Sequence, residues 1–239
     1  MAASATVLSS VSLFASFGPA APASARQSAR RVLLGRSFDG RLIDAYEVGD
    51  PQSTVRELVV GCIHGDETAG IAIARRLERL SPTGVDLWIV PLLNPDGAAA
   101  GTRGNAHGVD LNRNFPSRWE RLAGTVYSGP HRLSERETRV AYRLIRRLRP
   151  QVSIWFHQPL DVVDRSGGNQ AIERRFAALV NLPLKRLPRE PGSAVGWENH
   201  TFPGSTSFVV ELPAGRLSAA AVGRFARAVI AVGQSAAGG

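Results

Sequence analysis

A histidine and a glutamate stand three residues apart in the segment His64-Gly65-Asp66-Glu67. An apolar run over 57–63 precedes it and a helical pattern over 67–80 follows it, so both side chains are expected at the carboxyl end of a buried strand. Ligands of α/β sheets bind at such strand ends. Zinc accepts imidazole nitrogen and carboxylate oxygen, and a catalytic zinc site has three protein ligands and one open position. The pair therefore indicates a metal site, with a capped helix start as the plainer alternative.

His157 is the candidate third ligand because it ends the apolar run over 152–156. If the strands of one sheet end on the same side, His157 completes a set of two histidines and one carboxylate. A histidine that is merely hydrogen-bonded at a strand end is the alternative. The chain has one cysteine, Cys62, which excludes an internal disulfide and a metal site made of thiolates alone. Any metal must therefore be held by histidines and carboxylates.

Glu211 stands among large apolar residues in the run over 207–212. Carboxylates are rarely buried without a partner or a function. Burial raises the pKa of a carboxyl group toward the range that is useful for proton transfer. Glu211 is therefore a candidate catalytic group, and a glutamate on an edge strand that faces water is the alternative.

Polar residues of the segment 91–133 are candidates for binding and orientation. Arg113, beside Asn112, has the forked guanidinium that matches a substrate carboxylate. Asp110 has a carboxylate that can accept a hydrogen bond from a ligand histidine and fix its orientation. For the segment 94–97, Asn-Pro-Asp-Gly, a turn that shapes the cleft is the favoured interpretation.

The elements that must position these side chains alternate between strand and helix. Strands are predicted over 41–48, 57–63, 85–90, 152–156 and 207–212, with a short strand at best over 182–187. Helices are predicted over 67–80, 134–149, 170–180 and 218–232, the second opened by a capping box of Ser134 and Glu137. Long loops are predicted over 91–133, and such loops are usually functional. The pattern predicts an α/β fold with a mostly buried, mixed or largely parallel sheet.

Composition and charge narrow the class of protein. A chain of 239 residues with 44% hydrophobic and 21% charged residues is long enough for one sizeable core. Apolar runs break before about 18 residues, so no stable membrane insertion is expected. The net charge of +9 comes almost entirely from arginine, with Lys185 the only lysine. This bias fits a GC-rich genome as well as an anionic partner, and nucleic acid is not expected as a partner.

The first 30 residues differ from the rest of the chain. A short apolar stretch over 7–17 is followed by Ala-Ser-Ala at 23–25, which predicts a secretory signal cut after Ala25. No basic residue precedes Arg26, which favours a disordered leader instead. We therefore expect a leader over 1–30 and one domain over 31–239. A signal peptide implies that the protein is secreted or lies in the cell envelope. Without a signal peptide, the expected location is the cytoplasm.

Several separated motifs together resemble those of the zinc metallocarboxypeptidases, and within them the bacterial murein peptide amidase branch. The resemblance spans roughly residues 32–232. The segments that carry it are His64-x-x-Glu67, Asn-Pro-Asp-Gly at 94–97, Asp-Leu-Asn-Arg-Asn-Phe at 110–115, Tyr-Ser-Gly-Pro at 127–130, His157 and Glu211. The resemblance implies an α/β fold with a mixed, largely parallel eight-stranded sheet flanked by helices. It also implies one zinc ion bound by His64, Glu67 and His157.

The resemblance also implies roles for the other candidates. Glu211 would be the general base and then the general acid. Asn112 and Arg113 would bind the terminal carboxylate of the substrate. Arg103 would polarise the scissile carbonyl, and Asp110 would orient His64.

One feature of the family has no counterpart here. The family has a cleft tyrosine shortly before the catalytic glutamate, whereas no tyrosine follows Tyr142 in this chain. Another group such as Trp197 or His200 would then close the site, or the site would work without an equivalent.

The function that the resemblance implies is zinc-dependent hydrolysis of an amide bond next to a free carboxylate. The expected substrate is the γ-D-glutamyl–diaminopimelate bond of cell-wall peptides. One alternative is an N-acyl amino acid hydrolase of the aspartoacylase or succinylglutamate desuccinylase type, although the wording Asn-Pro-Asp-Gly and Asn-Arg-Asn-Phe favours a peptidase. The alternative from another class is a basic protein that binds anionic polymers. It is supported by the net charge of +9 and by arginines 139, 143, 146, 147 and 149 of one predicted helix.

Overall fold

The computed structural model describes residues 1, 2 and 29–236. The predicted signal sequence and its cleavage site after Ala25 lie outside the described residues. The first strand begins at Arg30, one residue before the predicted start of the domain. A cut after Ala25 would therefore leave the whole sheet in the mature chain.

Eight strands of the described residues form one sheet. In chain order they are β1 (Arg30–Arg36), β2 (Leu42–Gly49), β3 (Arg56–Val60), β4 (Asp86–Val90), β5 (Val152–His157), β6 (Val162–Asp164), β7 (Leu184–Lys185) and β8 (Thr206–Glu211). Their spatial order is β1-β2-β4-β3-β5-β8-β6-β7. The four central strands β4, β3, β5 and β8 are parallel. Antiparallel pairs flank them on both sides, so the predicted mixed eight-stranded sheet is confirmed.

Helices cover both faces of this sheet. They are α1 (Ala69–Leu77), α2 (Pro95–Ala100), α3 (Arg136–Leu148), α4 (Gln170–Val180), α5 (Ala194–Thr201) and α6 (Ala219–Ala236). Val59 and Ile154 pack in the core that also contains residues of α1, α4 and α6. Their neighbours Leu58 and Trp155 pack in the opposite core, with α3 and α5. Because both faces are covered, most positions of the central strands are apolar. In residues 29–236, no helix has the length and apolar character needed to cross a bilayer.

The structure differs from the predicted elements near the candidate site. Strand β3 ends at Val60 and helix α1 begins at Ala69, so residues 61–68 form an irregular connection rather than strand and helix. The segment 91–133 is more regular than predicted, because it contains α2 and short 3-10 turns at Leu111–Arg113 and Gly124–Val126. Strands β1 and β6 and helix α5 were not predicted.

The predicted capping box at the start of α3 is wrong. Glu135 is the N-cap residue, without a side-chain cap hydrogen bond, and Ser134 Oγ donates to the Glu135 carboxylate at 2.6 Å. Glu137 is buried and accepts hydrogen bonds from Asn105 Nδ2 at 3.1 Å and from the backbone N–H of Phe38 at 3.4 Å. Because Glu137 makes these tertiary hydrogen bonds, it does not form a local capping box with Ser134.

Glu198 of α5 is a fully buried carboxyl group that should make stability depend on pH. Its Oε1 accepts a hydrogen bond from Ser153 Oγ at 2.5 Å. Burial raises the pKa of Glu198 to about 7, so between pH 4.5 and 7 the folded protein holds a proton that the unfolded chain releases. The free energy of unfolding should therefore fall as the pH rises through this window.

We expect Glu198→Gln to be more stable than the parent at about pH 8, by up to about 3 kcal/mol, and close to it at about pH 5. Glutamine keeps an acceptor for Ser153 but carries no proton to lose. Urea unfolding at the two pH values measures the difference. A stability change of equal size at both would show that Glu198 does not titrate in this window.

Candidate active site

The parallel central strands bring the sequence-predicted residues to one rim of the sheet. His157 and Glu211 are the last residues of β5 and β8 and lie opposite each other in the parallel register. Strand β3 ends at Val60, opposite Trp155 of β5, and the chain continues from there to His64. All of these strands run in the same direction, so their carboxyl ends meet at a single edge.

His64, Glu67 and His157 form the one group of candidate metal ligands found among the described residues. His64 Nδ1 lies 2.9 Å from Glu67 Oε1, and His157 Nδ1 lies 2.9 Å from Glu67 Oε2. The two Nδ1 atoms are 3.1 Å apart. All three side chains are buried. Two imidazole nitrogens and one carboxylate thus converge on a point shielded from solvent.

The donor set fits a zinc ion. Ligand atoms about 2.1 Å from a tetrahedral zinc lie about 3.4 Å from one another, close to the spacing seen here. Burial lowers the pKa of His157, and the nearby charge of His64 lowers it further, so the neutral ring that a metal needs is favoured. Burial alone would raise the pKa of Glu67, but the hydrogen bonds with His157 and His64 hold it below its usual range. The carboxylate is therefore ionised and able to bind a cation.

Asp110 holds His64 in the orientation that turns Nδ1 toward the other two ligands. His64 Nε2 lies 3.0 Å from Asp110 Oδ1, and both side chains are buried. Burial would raise the pKa of Asp110, but the hydrogen bond with His64 and the charges of Arg103 and Arg113 keep it below its usual range. A carboxylate behind a ligand histidine fixes the ring and strengthens it as a ligand. Asp110 thus lies where the resemblance to the zinc enzymes places the orienting residue.

Replacing Asp110 by asparagine should weaken zinc binding about 10-fold or more. Asp110 Oδ1 accepts a hydrogen bond from the backbone N–H of Asn112 at 2.9 Å. Asparagine keeps an oxygen for this bond but removes the negative charge behind His64. Titration against a zinc chelator measures the affinity. The matched control is Asp96→Asn, which changes another buried aspartate that is bonded to Ser37 and Arg41 instead. Equal affinities for Asp110→Asn and the parent would contradict the orienting role.

A close backbone contact explains the glycine inside the segment 64–67. A Cβ atom on Gly65 would lie 2.0 Å from the carbonyl carbon of Gly97, so only glycine lets the two connections touch. Asn94 Oδ1 accepts a hydrogen bond from the Gly97 N–H at 2.9 Å and caps α2. The segment 94–97 is therefore the start of a helix rather than an isolated turn, and it supports the connection that carries His64.

Arg103 contacts both Glu67, a candidate metal ligand, and Asp110, which is hydrogen-bonded to His64. Its Nε donates to Asp110 Oδ2 at 2.9 Å, and its Nη1 donates to Glu67 Oε1 at 3.0 Å. About 30% of the side chain remains exposed. Each terminal nitrogen of a guanidinium carries two N–H groups, so Arg103 keeps donors for a ligand in the cleft.

A cavity of about 310 Å³ opens beside the three ligands, with Arg113, Asn112 and Glu211 in its lining. Arg113 is 8% exposed. Its Nη1 donates to the Asn112 carbonyl at 2.9 Å, and its Nε is a buried donor without a partner among the described residues. Asn112 Oδ1 accepts a hydrogen bond from the Ala194 N–H at 2.9 Å, so its amide NH₂ is the group that can donate to a ligand. The pair therefore offers donors for a carboxylate.

Glu211 occupies a central strand, so the edge-strand alternative is wrong. Strand β8 lies between β5 and β6. Glu211 Oε2 is buried and has no hydrogen-bond partner within the described part of the chain. Burial raises the pKa of Glu211 to about 7, and the charge of Glu67 contributes to the rise. A carboxyl group with this pKa can both accept and return a proton near neutral pH.

Neither Trp197 nor His200 takes the place of the missing tyrosine. Trp197 is buried against the rings of Phe115 and Tyr142, at centroid distances of 5.6 and 4.7 Å. His200 is exposed near the end of α5 and does not line the cavity. Leu160 and residues 187–190 line this cavity.

Sequence reasoning missed Gln158, Asp164, Ser166 and Arg189, which all line the cavity. The backbone N–H of Gln158 donates to Glu67 Oε2 at 3.2 Å. Its side chain accepts from the Ala69 N–H at 2.9 Å and donates to the Pro213 carbonyl at 2.7 Å. Its place directly after His157 was the available signal. No sequence signal marked the other three, because a strand of three residues positions Asp164 and loops position Ser166 and Arg189.

Part of the chain is similar in sequence to known proteins. Residues 81–171 match the family model described as zinc carboxypeptidase. This match contains Arg103, Asp110, Asn112, Arg113 and His157, whereas His64, Glu67 and Glu211 lie outside it. Murein peptide amidase A of Escherichia coli K12 is 34% identical over 157 residues, which are 59% of this chain and 64% of that relative. The matched region thus spans less than two thirds of that relative's length.

Solved structures extend the likeness over most of the chain. The murein-tripeptide amidase of Escherichia coli O157 superposes with a TM-score of 0.69 at 26% identity, over 85% of this chain and 91% of that one. Carboxypeptidase A of Helicoverpa armigera has a TM-score of 0.70 at 21% identity, over 88% and 68%, and shares the fold. The sequence matches and the shared fold together show that the chain is similar to the zinc carboxypeptidases.

Proposed function

We propose that the protein is a zinc-dependent peptidase that hydrolyses an amide bond next to a free carboxylate. The observation that carries the proposal is the convergence of His64, Glu67 and His157 on one point, beside the unpartnered carboxyl group of Glu211. The buried Arg113 lies in the same cavity. These are the parts that hydrolysis of a carboxyl-terminal peptide bond requires: a metal site, a proton carrier and an anion-binding group.

His64, Glu67 and His157 would hold one zinc ion. A bound zinc ion supplies Lewis acidity, which polarises a carbonyl and makes water easier to deprotonate at neutral pH. Asp110 keeps the His64 ring in place while the site is loaded. Gln158 fixes Glu67 through its backbone N–H.

Glu211 carries the proton in the proposed reaction. Its unpartnered Oε2 would accept a proton from the attacking water and then deliver it to the nitrogen of the leaving amine. Arg103 would donate a hydrogen bond to the carbonyl oxygen as negative charge develops there. A donor of this kind is worth on the order of 3–4 kcal/mol in known cases.

Asn112 and Arg113 would bind the terminal carboxylate of the substrate. Charge-assisted hydrogen bonds from a guanidinium select an anion and fix its orientation. The burial of Arg113 strengthens this preference, because opposite charges attract more strongly away from water. Peptides with a blocked carboxyl terminus should therefore be poor substrates.

The proposed substrate is the γ-D-glutamyl–diaminopimelate bond of a cell-wall peptide. Support comes from the murein peptide amidases among the relatives, which act on murein peptides by name. The solved structure of one of them matches 85% of this chain. The same comparisons support a peptidase over the N-acyl amino acid hydrolase and over the binding protein for anionic polymers.

Hydrolysis of a synthetic L-alanyl-γ-D-glutamyl-diaminopimelate peptide, with metal analysis of the same sample, tests the proposal. We expect one zinc ion per chain, cleavage of the γ-D-glutamyl bond, loss of activity with a chelator and recovery on adding zinc. Cleavage of N-acyl amino acids alone would favour the acylase alternative. A protein that holds no zinc and binds anionic polymers with a steep salt dependence would favour the binding protein.

We further propose that the protein works in the cell envelope, after removal of residues 1–25. The apolar stretch and the Ala-Ser-Ala site support this location. Amino-terminal sequencing of the protein from an envelope fraction should begin at Arg26. Intact chains confined to the cytoplasmic fraction would contradict the location without affecting the proposed chemistry.

A further inference from the structure

One wall of the cavity, lined by Asp164, Ser166 and residues 187–190, contains an ion pair that has no part in the chemistry described so far. Asp164, the last residue of β6, is 2% exposed, and its Oδ2 lies 2.7 Å from Arg189 Nη1. Ser166 Oγ donates to the same oxygen at 2.6 Å. The Leu187 N–H donates to Asp164 Oδ1 at 2.8 Å. Asp164, Ser166 and Arg189 all line the cavity that contains Arg113 and the metal ligands.

The segment 187–192, which carries Arg189, is tied to the loop that carries Arg113. The Phe115 N–H donates to the Gly192 carbonyl and the Gly192 N–H donates to the Ser117 carbonyl, both at 2.9 Å. Gly192 has a φ of +67°, and a Cβ there would lie 2.1 Å from the Arg113 carbonyl oxygen. The wall and the proposed carboxylate-binding group are therefore directly connected.

The polarity of this wall restricts the side chain that can occupy the cavity. An apolar side chain of a substrate would displace water from the ion pair without replacing the lost hydrogen bonds, which costs binding free energy. A lone aspartate would select a cation and a lone arginine an anion, whereas the pair presents both charges side by side. A carboxylate has about four acceptor positions, and three of those on Asp164 are filled. One acceptor and the exposed N–H groups of Arg189, whose side chain is 29% exposed, remain for a ligand.

We propose that Asp164 and Arg189 recognise the zwitterionic end of the leaving residue's side chain, with the ammonium group at Asp164 and the carboxylate at Arg189. This inference rests on the proposed function and specifies its substrate class. Diaminopimelate has such an end, because its side chain carries an amino group and a carboxylate on one carbon. Lysine has the amino group without that carboxylate, and 2-aminopimelate has the carboxylate without that amino group.

The test compares three peptides that share the γ-D-glutamyl bond and end in meso-diaminopimelate, L-lysine or L-2-aminopimelate. We expect kcat/KM of the zinc-loaded parent to be at least about 10-fold higher for diaminopimelate than for either analogue. Arg189→Gln should lower kcat/KM for diaminopimelate about 10-fold or more. It should leave lysine unchanged or improved, because Asp164 loses its internal partner.

Asp164→Asn should instead remove the preference for diaminopimelate over 2-aminopimelate. Asp164 is buried and accepts a hydrogen bond from the Leu187 N–H, so this variant can also change the structure of the wall. Arg189 is the more exposed member of the pair, so the result for Arg189→Gln by itself decides the test. The matched control is Arg186→Gln, which makes the same change at an exposed arginine outside the cavity and should leave all three values unchanged. A purely structural role of Arg189 would lower kcat/KM equally for all three peptides and would overturn the inference.

Binding of the same peptides to the Glu211→Gln variant, measured by calorimetry, separates this inference from the proposed function. If the parent cleaves all three peptides at equal rates, recognition by the ion pair is wrong while the peptidase proposal stands. If no peptide is cleaved but the variant binds diaminopimelate peptide about 10-fold more tightly than the analogues, the peptidase proposal fails and recognition stands. Equal binding of all three overturns the recognition.

Discussion

Replacing Glu211 by glutamine should leave zinc bound and lower kcat by about 10²- to 10⁴-fold, the usual contribution of a general acid–base group. Glutamine has nearly the same shape but cannot accept the proton of the attacking water. His64, Glu67 and His157, which would hold the metal, are unchanged. Metal analysis and steady-state kinetics on the same preparation measure both quantities.

The position of Glu211 explains why the loss should be large. Its Oε2 is buried and unpartnered, and it belongs to a central strand whose last residue lies opposite His157. Glu67 also lines the cavity, but the hydrogen bonds with His157 and His64 hold its pKa below the usual range, whereas the pKa of Glu211 is raised to about 7. Another residue is therefore poorly placed to replace it.

Glu198→Gln is the matched control for this experiment. Glu198 is also a buried glutamate with a pKa raised to about 7, but it does not line the cavity. The control should keep the parent value of kcat. Parent-like turnover by the Glu211 variant with zinc bound would remove Glu211 from the mechanism.

Replacing Arg113 by alanine should raise KM for peptides with a free carboxyl terminus and leave kcat little changed. Removing one partner of a buried, hydrogen-bonded charge pair costs about 2–5 kcal/mol, which corresponds to roughly 30-fold or more in KM. The effect falls on KM because Arg113 contacts a part of the substrate that is the same in the ground state and the transition state.

A carboxyl-terminally amidated peptide is the internal control for Arg113. The amide has no negative charge for the guanidinium, so its slow cleavage should be nearly the same in the parent and the variant. Arg113→Lys should recover only part of the loss, because a lysine lacks the planar fork that matches a carboxylate. Unchanged kinetics on the free peptide, or equal losses on both peptides, would contradict the anchoring role.

The central sheet and the helices with a strong pattern were predictable from sequence alone. Helix α4 runs over Gln170–Val180, as predicted, because its apolar stripe is regular and Asn169 Oδ1 caps its first turn. Strands β4 and β5 were recognised because both of their faces are buried and apolar. The candidate metal ligands were found for a related reason: parallel strands place the residues at their carboxyl ends on one rim.

The tertiary structure decided what lies around those ligands. Strand β6 has three residues, and the pattern of α5 is not amphipathic, so neither produced a periodic signal. The position of β8 between β5 and β6 made Glu211 a half-buried residue of a central strand rather than an edge residue. Likewise Trp197 went to the core, and a loop brought Arg189 to Asp164, which lies 25 residues earlier in the chain. Short-range periodicity in a sequence shows which face of an element is apolar. Side-chain partners depend on how separate elements pack against one another, and this packing cannot be deduced from the pattern of a single sequence.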